Sequence, residues 1–258
     1  MSNRINDLFE RKRESILSVY YTAGFPSLNN TMAIAKNLEE AGVDMIEIGI
    51  PFSDPVADGP IIQDSNRTAL GNGMTVLQLL DQVRKIRTTV KLPIILMGYL
   101  NPVLQYGFES FCKDAAQAGA DGLILPDMPL DEYEYQYKSS LDSSGLRHTF
   151  LISPATSQDR IRMIDEATNG FIYAVSASST TGVKGKFSAE QEVYFNRLVA
   201  MKLKNPFLIG FGISDRQTFM DACTFGAGAI VGSAFISMLK DSHDLKNDTL
   251  DFISNLRG

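Results

Sequence analysis

Short apolar segments alternate with longer amphipathic segments along the chain. The amphipathic segments, such as NNTMAIAKNLEEAG and TVLQLLDQVRKIRTTV, place apolar residues at helical spacing and are predicted helices. The motifs AGVD from residue 41 and AGAD from residue 118 put a glycine at the end of a helix, just before the next apolar segment. The apolar segments predict eight strands, at residues 15–23, 44–50, 93–99, 122–126, 147–153, 171–176, 206–210 and 228–233.

The number of strand and helix units predicts the fold class. Eight such units in 258 residues match the size and count of a (β/α)8 TIM barrel. A doubly wound α/β sheet is the alternative, but it usually has fewer strands in this length, and no G-x-G-x-x-G motif follows the first strand. No change of composition marks a linker, so we predict one barrel domain over residues 1–258 with a short N-terminal helix.

Composition and charge then limit the classes of function. A net charge of −6 gives no general attraction to nucleic acid or to acidic membranes. No run of about 18 apolar residues occurs, and the N-terminus lacks an apolar segment of signal-peptide length. The two cysteines, Cys112 and Cys223, lie far apart in helix-like segments and indicate a reducing compartment. We therefore expect a cytoplasmic protein that binds neither nucleic acid nor membranes.

The segment EIGIPFSDPVADGP, residues 47–60, places a carboxylate inside an apolar strand. Isoleucines alternate with Glu47 and form the helix-facing set, so Glu47 points into the barrel near its open mouth. A structural ion pair is the alternative, but no predicted strand carries a lysine, and Arg147 opens the fifth strand at its N-terminal end. Burial raises a carboxyl pKa toward the range useful for acid–base work, so the pattern favours catalysis.

The loop after this strand contains Asp54 and Asp58. Its three prolines restrict the backbone and suit a loop that must hold a side chain in one place. An aspartate in such a turn is ordinarily a capping or turn residue, so the local pattern alone does not indicate catalysis.

Two glycine motifs follow the last two predicted strands. GFGIS, residues 210–214, leaves the seventh strand, and GSAF, residues 232–235, leaves the eighth and enters a short helix. Each motif alone is typical of a turn, but barrels often bind phosphate at this pair of strands through backbone N–H groups. With the Ser233 hydroxyl as a further donor, the pair predicts a phosphate site.

The scarcity of histidine, and of lysine in the predicted strands, limits the types of reaction that the chain can catalyse. The chain has two histidines, His148 and His243, so a multi-histidine metal site is not expected. No lysine occupies a strand position from which a Schiff base could form. These patterns indicate acid–base catalysis by carboxylates on a small phosphorylated molecule.

The stretch EIGIPFSDPVADGPIIQ, together with GFGIS and VGSA, closely resembles the tryptophan synthase α subunit family, and the resemblance spans essentially the whole chain. It implies a barrel that cleaves indole-3-glycerol phosphate to indole and glyceraldehyde 3-phosphate. It also implies an α2β2 complex in which a β subunit carries pyridoxal phosphate and consumes the indole, with no cofactor in this chain.

The resemblance also implies roles for single residues. Glu47 would be the acid and base at indole C3 and at the glycerol hydroxyl, and Asp58 would accept a hydrogen bond from the indole N–H, which replaces the local interpretation of Asp58 as a turn residue. The substrate pocket would contain Tyr20, Tyr173 and Phe211, although core packing remains an alternative for Tyr20. Thr181 would belong to a loop that closes over the site. The implied phosphate-binding residues are Gly182, Gly212, Gly232 and Ser233.

That loop departs from the better-known family pattern. SASSTTG, residues 176–182, has Ala177 and Ser179 where the family version carries an arginine and an additional glycine. This departure leaves the implied chemistry intact, but the resemblance implies nothing about the equilibrium of loop closure in this chain.

Three other functions share parts of the pattern. A free-standing lyase would release indole without a partner, and a catalytically silent member would act only as an allosteric partner of a β subunit. The presence of both Glu47 and Asp58 argues against the silent member. A phosphoribosyl-type barrel isomerase would share the phosphate glycines but would not explain the PFSDP loop.

Overall fold

The computed structural model describes residues 3–176 and 187–258. In this part of the chain the strands are β1 (Ile16–Thr22), β2 (Met45–Gly49), β3 (Ile94–Met97), β4 (Gly122–Ile124), β5 (Arg147–Thr149), β6 (Leu151–Ile152), β7 (Ile172–Val175), β8 (Phe207–Gly210) and β9 (Gly228–Val231). They form one parallel sheet in the order β5-β4-β3-β2-β1-β9-β8-β7-β6. Helices surround the sheet, and the predicted TIM barrel is confirmed.

The segment predicted as the fifth strand, residues 147–153, is two short strands. β5 pairs with β4, whereas β6 pairs with β7. Phe150 lies between them, and its carbonyl accepts a hydrogen bond from the Tyr173 backbone N–H at 2.9 Å. The chain therefore changes its pairing partner at Phe150, and this continuous segment closes the ring of strands.

The helices follow the strands, with extra helices at both ends of the chain and in several loops. They are α1 (Arg4–Arg11), α2 (Asn30–Glu40), α3 (Pro60–Gly71), α4 (Val76–Ile86), α5 (Leu100–Tyr106), α6 (Phe108–Ala118), α7 (Leu130–Glu132), α8 (Lys138–Ser144), α9 (Gln158–Ala167), α10 (Ala189–Met201), α11 (Arg216–Cys223), α12 (Ser233–Asp241) and α13 (Leu245–Arg257). A π-helical turn, Tyr133–Tyr137, joins α7 to α8. No helix among the described residues is long and apolar enough to cross a membrane.

Helix α1 covers the N-terminal end of the barrel. Ile5 and Leu8 on this helix are buried and belong to the apolar cluster inside the barrel. The Asn3 side chain caps the helix by accepting the Ile5 N–H at 3.0 Å, and it donates to the Asp121 carbonyl at 2.9 Å. The opposite end, where the strands reach their C-terminal ends, is the end where barrels carry their active sites.

The apolar core has two layers separated by the sheet. The inner layer contains Met45 of β2, and the outer layer, between sheet and helices, contains Ile46, Ile48 and Ile50. This alternation matches the predicted orientation of β2, with Glu47 on the inner face. The sheet therefore holds Glu47 on a rigid element rather than on a loop.

Candidate active site

Glu47 is completely buried on the inner face of β2. Its Oε1 accepts a hydrogen bond from Ser18 Oγ at 2.7 Å, and its Oε2 has no partner within residues 3–176 and 187–258. None of the salt bridges between described residues involves Glu47. Burial raises the pKa of Glu47 from 4.5 to about 7, while the Ser18 hydrogen bond partly opposes that rise.

The inner face of β1 presents a row of hydroxyls beside Glu47. Ser18, Tyr20 and Thr22 share the face of Ile16, which lies in the inner layer. The Tyr20 hydroxyl lies 3.4 Å from Thr22 Oγ1, which lies 2.7 Å from Ser65 Oγ. Since Ser65 donates its proton to the Ile62 carbonyl at 2.8 Å, Thr22 donates to Ser65. This chain of hydrogen bonds connects the inside of the barrel to helix α3.

Two glycines make room for the tyrosines of the site. A Cβ at Gly49, at the end of β2, would overlap the Tyr20 hydroxyl, and a Cβ at Gly210, at the end of β8, would overlap the Tyr173 hydroxyl. Tyr173 belongs to the inner layer, and its ring packs edge-on against Phe211 with centroids 6.2 Å apart. The phenol groups of Tyr20 and Tyr173 therefore occupy space that is free only because positions 49 and 210 are glycine.

The loop between β2 and α3 holds Asp58 at the barrel mouth. Tyr99, at the end of the third predicted strand, donates its hydroxyl to Asp58 Oδ2 at 3.2 Å and accepts the Ala57 N–H at 3.0 Å. Gln63 on α3 donates to the Asp58 carbonyl at 2.8 Å. Burial raises the pKa of Asp58 from 3.8 to about 6, and the Tyr99 hydrogen bond opposes the rise. Asp58 is therefore ionised above about pH 6 and held at a defined position.

The carboxyls of Glu47 and Asp58 act electrostatically on the same two tyrosines, Tyr20 and Tyr173. Burial raises the pKa of Tyr20 and of Tyr173, and the charges of both Asp58 and Glu47 raise each further. Both phenols therefore stay neutral and can donate hydrogen bonds. Tyr20, Asp58 and Tyr99 line a cavity of about 20 Å³, which is room for about one water molecule. A ring-sized molecule can enter here only if the surrounding side chains or the loop after β2 move.

The predicted phosphate residues that the structure describes lie at the ends of neighbouring strands. Phe211 and Gly212 follow β8 with φ of 67° and 77°, and Ser176 Oγ donates to the Phe211 carbonyl at 2.5 Å. Gly232 precedes helix α12, whose first residue is Ser233. The first N–H groups of a helix lack intrahelical partners and bind anions well. β8 and β9 pair side by side, so both turns lie at the same part of the mouth. Thr181 and Gly182 lie outside the described residues.

His148, by contrast, lies on the helix side of the sheet. Its ring packs 4.4 Å from that of Phe150 and 5.2 Å from that of Tyr133, centroid to centroid. Burial lowers its pKa to about 3, so it is a neutral core residue. Across residues 3–176 and 187–258, no group of three or more His, Cys, Asp and Glu side chains is arranged to hold a metal ion.

Sequence reasoning missed two residues of the site, Ser18 and Tyr99. Ser18 could have been identified from the sequence, because it is polar and alternates with Tyr20 and Thr22 along a predicted strand. Tyr99 had a weaker one, since it lies where a predicted strand ends, and strand ends carry the active sites of barrels. Its contact with Asp58, 41 positions away in sequence, is visible only in the fold.

A TIM barrel with a buried carboxyl of raised pKa at its mouth and glycine turns after its last two strands is typical of enzymes that act on phosphorylated small molecules. The profile of the tryptophan synthase alpha chain family matches residues 6–256. The chain belongs to this family, which confirms the resemblance, and with it the prediction of a lyase of tryptophan biosynthesis.

Individual relatives agree with this assignment. The tryptophan synthase alpha chain of Flavobacterium johnsoniae is 51% identical over 255 residues, covering 99% of this chain and 100% of that protein. The alpha chain of Parabacteroides distasonis is 52% identical over 238 residues, covering 92% and 93%. Among solved structures, tryptophan synthase subunit alpha from Legionella pneumophila str. Paris has a TM-score of 0.90 at 34% identity, covering 100% of this chain and 98% of that chain.

Proposed function

We propose that this chain cleaves indole-3-glycerol phosphate to indole and glyceraldehyde 3-phosphate, with Glu47 and Asp58 as the catalytic residues. The observation that supports this most directly is the fully buried Glu47 carboxyl, whose pKa is raised to about 7. A carboxyl with a pKa near the working pH can both give and accept a proton. A retro-aldol cleavage requires both actions from one group.

In the proposed reaction, protonated Glu47 gives its proton to C3 of the indole ring. Glu47 then removes the proton from the hydroxyl on the adjacent glycerol carbon, which becomes the aldehyde carbon. The C–C bond breaks, its electron pair returns to the ring, and indole leaves. Glu47 gives one proton and takes one, so it ends in its starting form. The protonated ring is the electron sink, and the reaction therefore needs no Schiff base or metal.

We assign Asp58 to the indole nitrogen. The carboxylate would accept a hydrogen bond from the ring N–H and stabilise the positive charge that develops on the ring after C3 is protonated. Tyr99 supports this role, because it holds Asp58 Oδ2 at 3.2 Å. Tyr20, Tyr173 and Phe211 would form the walls of the ring pocket, and Thr181 would contact Asp58 when substrate is bound.

The phosphate group would bind at the turns after β8 and β9. Its ligands would be backbone N–H groups at Gly212 and Gly232 and both the N–H and the hydroxyl of Ser233, with Gly182 as a further donor. The positive φ of Gly212 and the start of α12 at Ser233 support this assignment.

The chain would work with a tryptophan synthase β subunit in an α2β2 complex and pass indole to it directly. The β subunit would carry the pyridoxal phosphate, and this chain would need no cofactor. We place the contact on residues 51–60, on NPVLQYG at 101–107 and on Pro129. Two large hydrophobic side chains in these segments are solvent-exposed, Val56 at 87% and Leu104 at 43%, which supports a partner on this face.

We further propose one barrel domain over residues 1–258 and a cytoplasmic location. The family profile extends over residues 6–256 without interruption. Cys112 and Cys223 are both free, as is usual in a reducing compartment.

The test measures indole release from indole-3-glycerol phosphate by the full chain, alone and with a β subunit. We expect slow release alone, faster release with the partner, and a loss of about 10² to 10⁴ in Glu47→Gln. Asp58→Asn should also lose most activity, because an amide cannot offset the charge on the ring. Glu166→Gln, an exposed change on α9, is the matched control and should retain activity.

The outcomes separate the alternatives. A loss of less than about tenfold in Glu47→Gln would remove Glu47 from the acid–base role. Release that is equally fast without the partner would identify a free-standing lyase. No release under either condition would identify a silent partner subunit.

A further inference from the structure

Ser18 is the one side chain among the described residues that hydrogen-bonds to Glu47. It lies on the inner face of β1, is completely buried, and donates to Glu47 Oε1 at 2.7 Å. The other carboxyl oxygen, Oε2, is equally buried and has no hydrogen-bond partner in the described part of the chain. The two oxygens of Glu47 are therefore in different environments.

This difference decides where the proton of neutral Glu47 lies. A protonated carboxyl has one O–H donor and one carbonyl oxygen, and the carbonyl oxygen is the better acceptor. A hydroxyl that donates to Oε1 therefore favours the carbonyl form of Oε1 and places the proton on Oε2. Oε2 is then the oxygen free to exchange a proton with a bound molecule.

We propose that Ser18 is a positioning residue for proton transfer: its hydroxyl holds Glu47 Oε1, so that Oε2 carries the proton given to the substrate and receives the proton taken from it. The proposal rests on the acid–base role proposed for Glu47. It assigns to Ser18 a task in the reaction that neither its burial nor its strand position requires.

Ser18 also acts on the ionised form of Glu47. A hydrogen bond to a carboxylate is stronger than one to a neutral carboxyl, so Ser18 stabilises the base form that must remove the hydroxyl proton. The other ionisable groups that affect this region are Tyr20 on β1, Tyr173 on β7 and Asp58 on the loop after β2, and burial raises the pKa of each. Both phenols stay neutral across the working pH range.

The test replaces Ser18 with alanine in the full chain and follows the infrared C=O stretch of protonated Glu47, identified as the band that Glu47→Gln lacks. We expect the titration midpoint of this band to move to higher pH in Ser18→Ala. The stretch should move to higher frequency, because Oε1 has lost its donor. With indole-3-glycerol phosphate, kcat should fall about tenfold or more while KM changes little.

Two further variants make the test specific. Thr22→Val removes a neighbouring inward hydroxyl that does not contact Glu47, and it should leave the Glu47 band and midpoint in place. Ser18→Cys keeps nearly the same volume with a weaker donor, so the shifts of the Glu47 band and midpoint should be intermediate. This variant replaces Ser18→Ala in the test if Ser18→Ala does not fold.

An unchanged band and midpoint in Ser18→Ala would overturn the proposal even if turnover fell, and so would equal shifts in Ser18→Ala and Thr22→Val. Failure of the proposed function has a different signature. In that case Glu47→Gln would retain indole release, whatever the band did in the Ser18 variants.

Discussion

The Tyr99 hydroxyl donates to Asp58 Oδ2 at 3.2 Å and thereby connects the loop after β2 to the turn between β3 and α5. The same hydroxyl accepts the Ala57 N–H at 3.0 Å, and the Tyr99 ring packs 5.3 Å from that of Phe52. One side chain thus holds both the backbone and the carboxylate of the loop. The position of Asp58 therefore depends on a residue that follows a different strand.

Tyr99→Phe should therefore lower turnover while keeping the ring packing. Hydrogen bonds to charged groups contribute about 1.5 to 3 kcal/mol, so we expect kcat to fall about ten- to a hundredfold. Tyr99 lowers the pKa of Asp58, so the loss of activity on acidification should begin at higher pH in the variant. The measurement is indole release as a function of pH.

Tyr21→Phe is the control for this substitution. It deletes a buried tyrosine hydroxyl that bonds to the Thr31 carbonyl on the helix side of β1. We expect reduced stability with an unchanged pH profile. If Tyr21→Phe and Tyr99→Phe reduced activity alike, general loosening of the barrel would explain both.

Glu47→Gln should stabilise the protein, and by more at high pH. Burial raises the pKa of Glu47 from 4.5 to about 7, so between these values the folded chain binds more protons than the unfolded chain. Stability contributed by this proton is present below pH 4.5 and is lost as pH rises through about 7. At about 1.4 kcal/mol per pKa unit, the advantage of glutamine should reach about 3 kcal/mol above that window.

Urea unfolding of both forms at several pH values would measure this advantage. The control is again Glu166→Gln, which makes the same change at an exposed side chain on α9. A pH-independent difference for Glu47→Gln would mean that the carboxyl titrates at an ordinary pKa in the folded chain.

Gly212→Val should weaken binding of the phosphate group. Gly212 has a φ of 77°, where a β-branched residue is strained, and the one described atom near its missing Cβ is Ser176 Oγ at 3.7 Å. The turn would therefore change its conformation rather than collide with the rest of the barrel. Calorimetry with glycerol phosphate and with indole should show a larger loss for the phosphate ligand.

Gly145→Val provides the comparison for this variant. Gly145 has a φ of 74° at the end of α8, and no described atom lies within 4 Å of its missing Cβ. The valine there introduces similar backbone strain away from the site. It should leave both affinities intact. Equal losses for glycerol phosphate and indole in Gly212→Val would indicate damage to the barrel rather than to a phosphate site.

Adding a β subunit should accelerate cleavage by packing against the loop that carries Asp58. Pro51→Gly, which loosens the start of this loop, should reduce the basal rate and increase the dependence on the partner. Val56→Ser should weaken the activation, because it removes an exposed apolar contact from the same loop. Titrating the β subunit while following indole release gives both the affinity and the activation.

Leu77→Ser is the matched surface control, since Leu77 on α4 is also exposed, at 68%. It should leave the titration unchanged. If Val56→Ser behaved in the same way, the contact surface would have to lie elsewhere.

The hydrophobic pattern was sufficient to predict most of the fold. The alternation of isoleucines around Glu47 predicted its inward orientation correctly. The face of the sheet on which a side chain lies follows from local alternation along the strand. The change of pairing partner at Phe150 was not predictable, since it depends on which strands lie on either side.

The residues of the candidate site also differ in how far the sequence alone predicts them. Glu47 could be singled out from its own strand, whereas Asp58 had the local pattern of a turn residue and needed the family resemblance. Its hydrogen-bond partner Tyr99 follows another strand, and no local pattern contains this contact. The predictions for Thr181 and Gly182 fall outside the described residues and stay predictions.

The position of helix α1 determines the route by which substrate enters and products leave. Its side chains Ile5 and Leu8, together with the inner apolar layer, fill the axis of the barrel from the N-terminal side. Substrate must then arrive, and both products must depart, through the mouth that Asp58 and Tyr99 border. A protein bound over that mouth would control arrival and departure together, so the order of binding and release would be set by the complex rather than by the barrel.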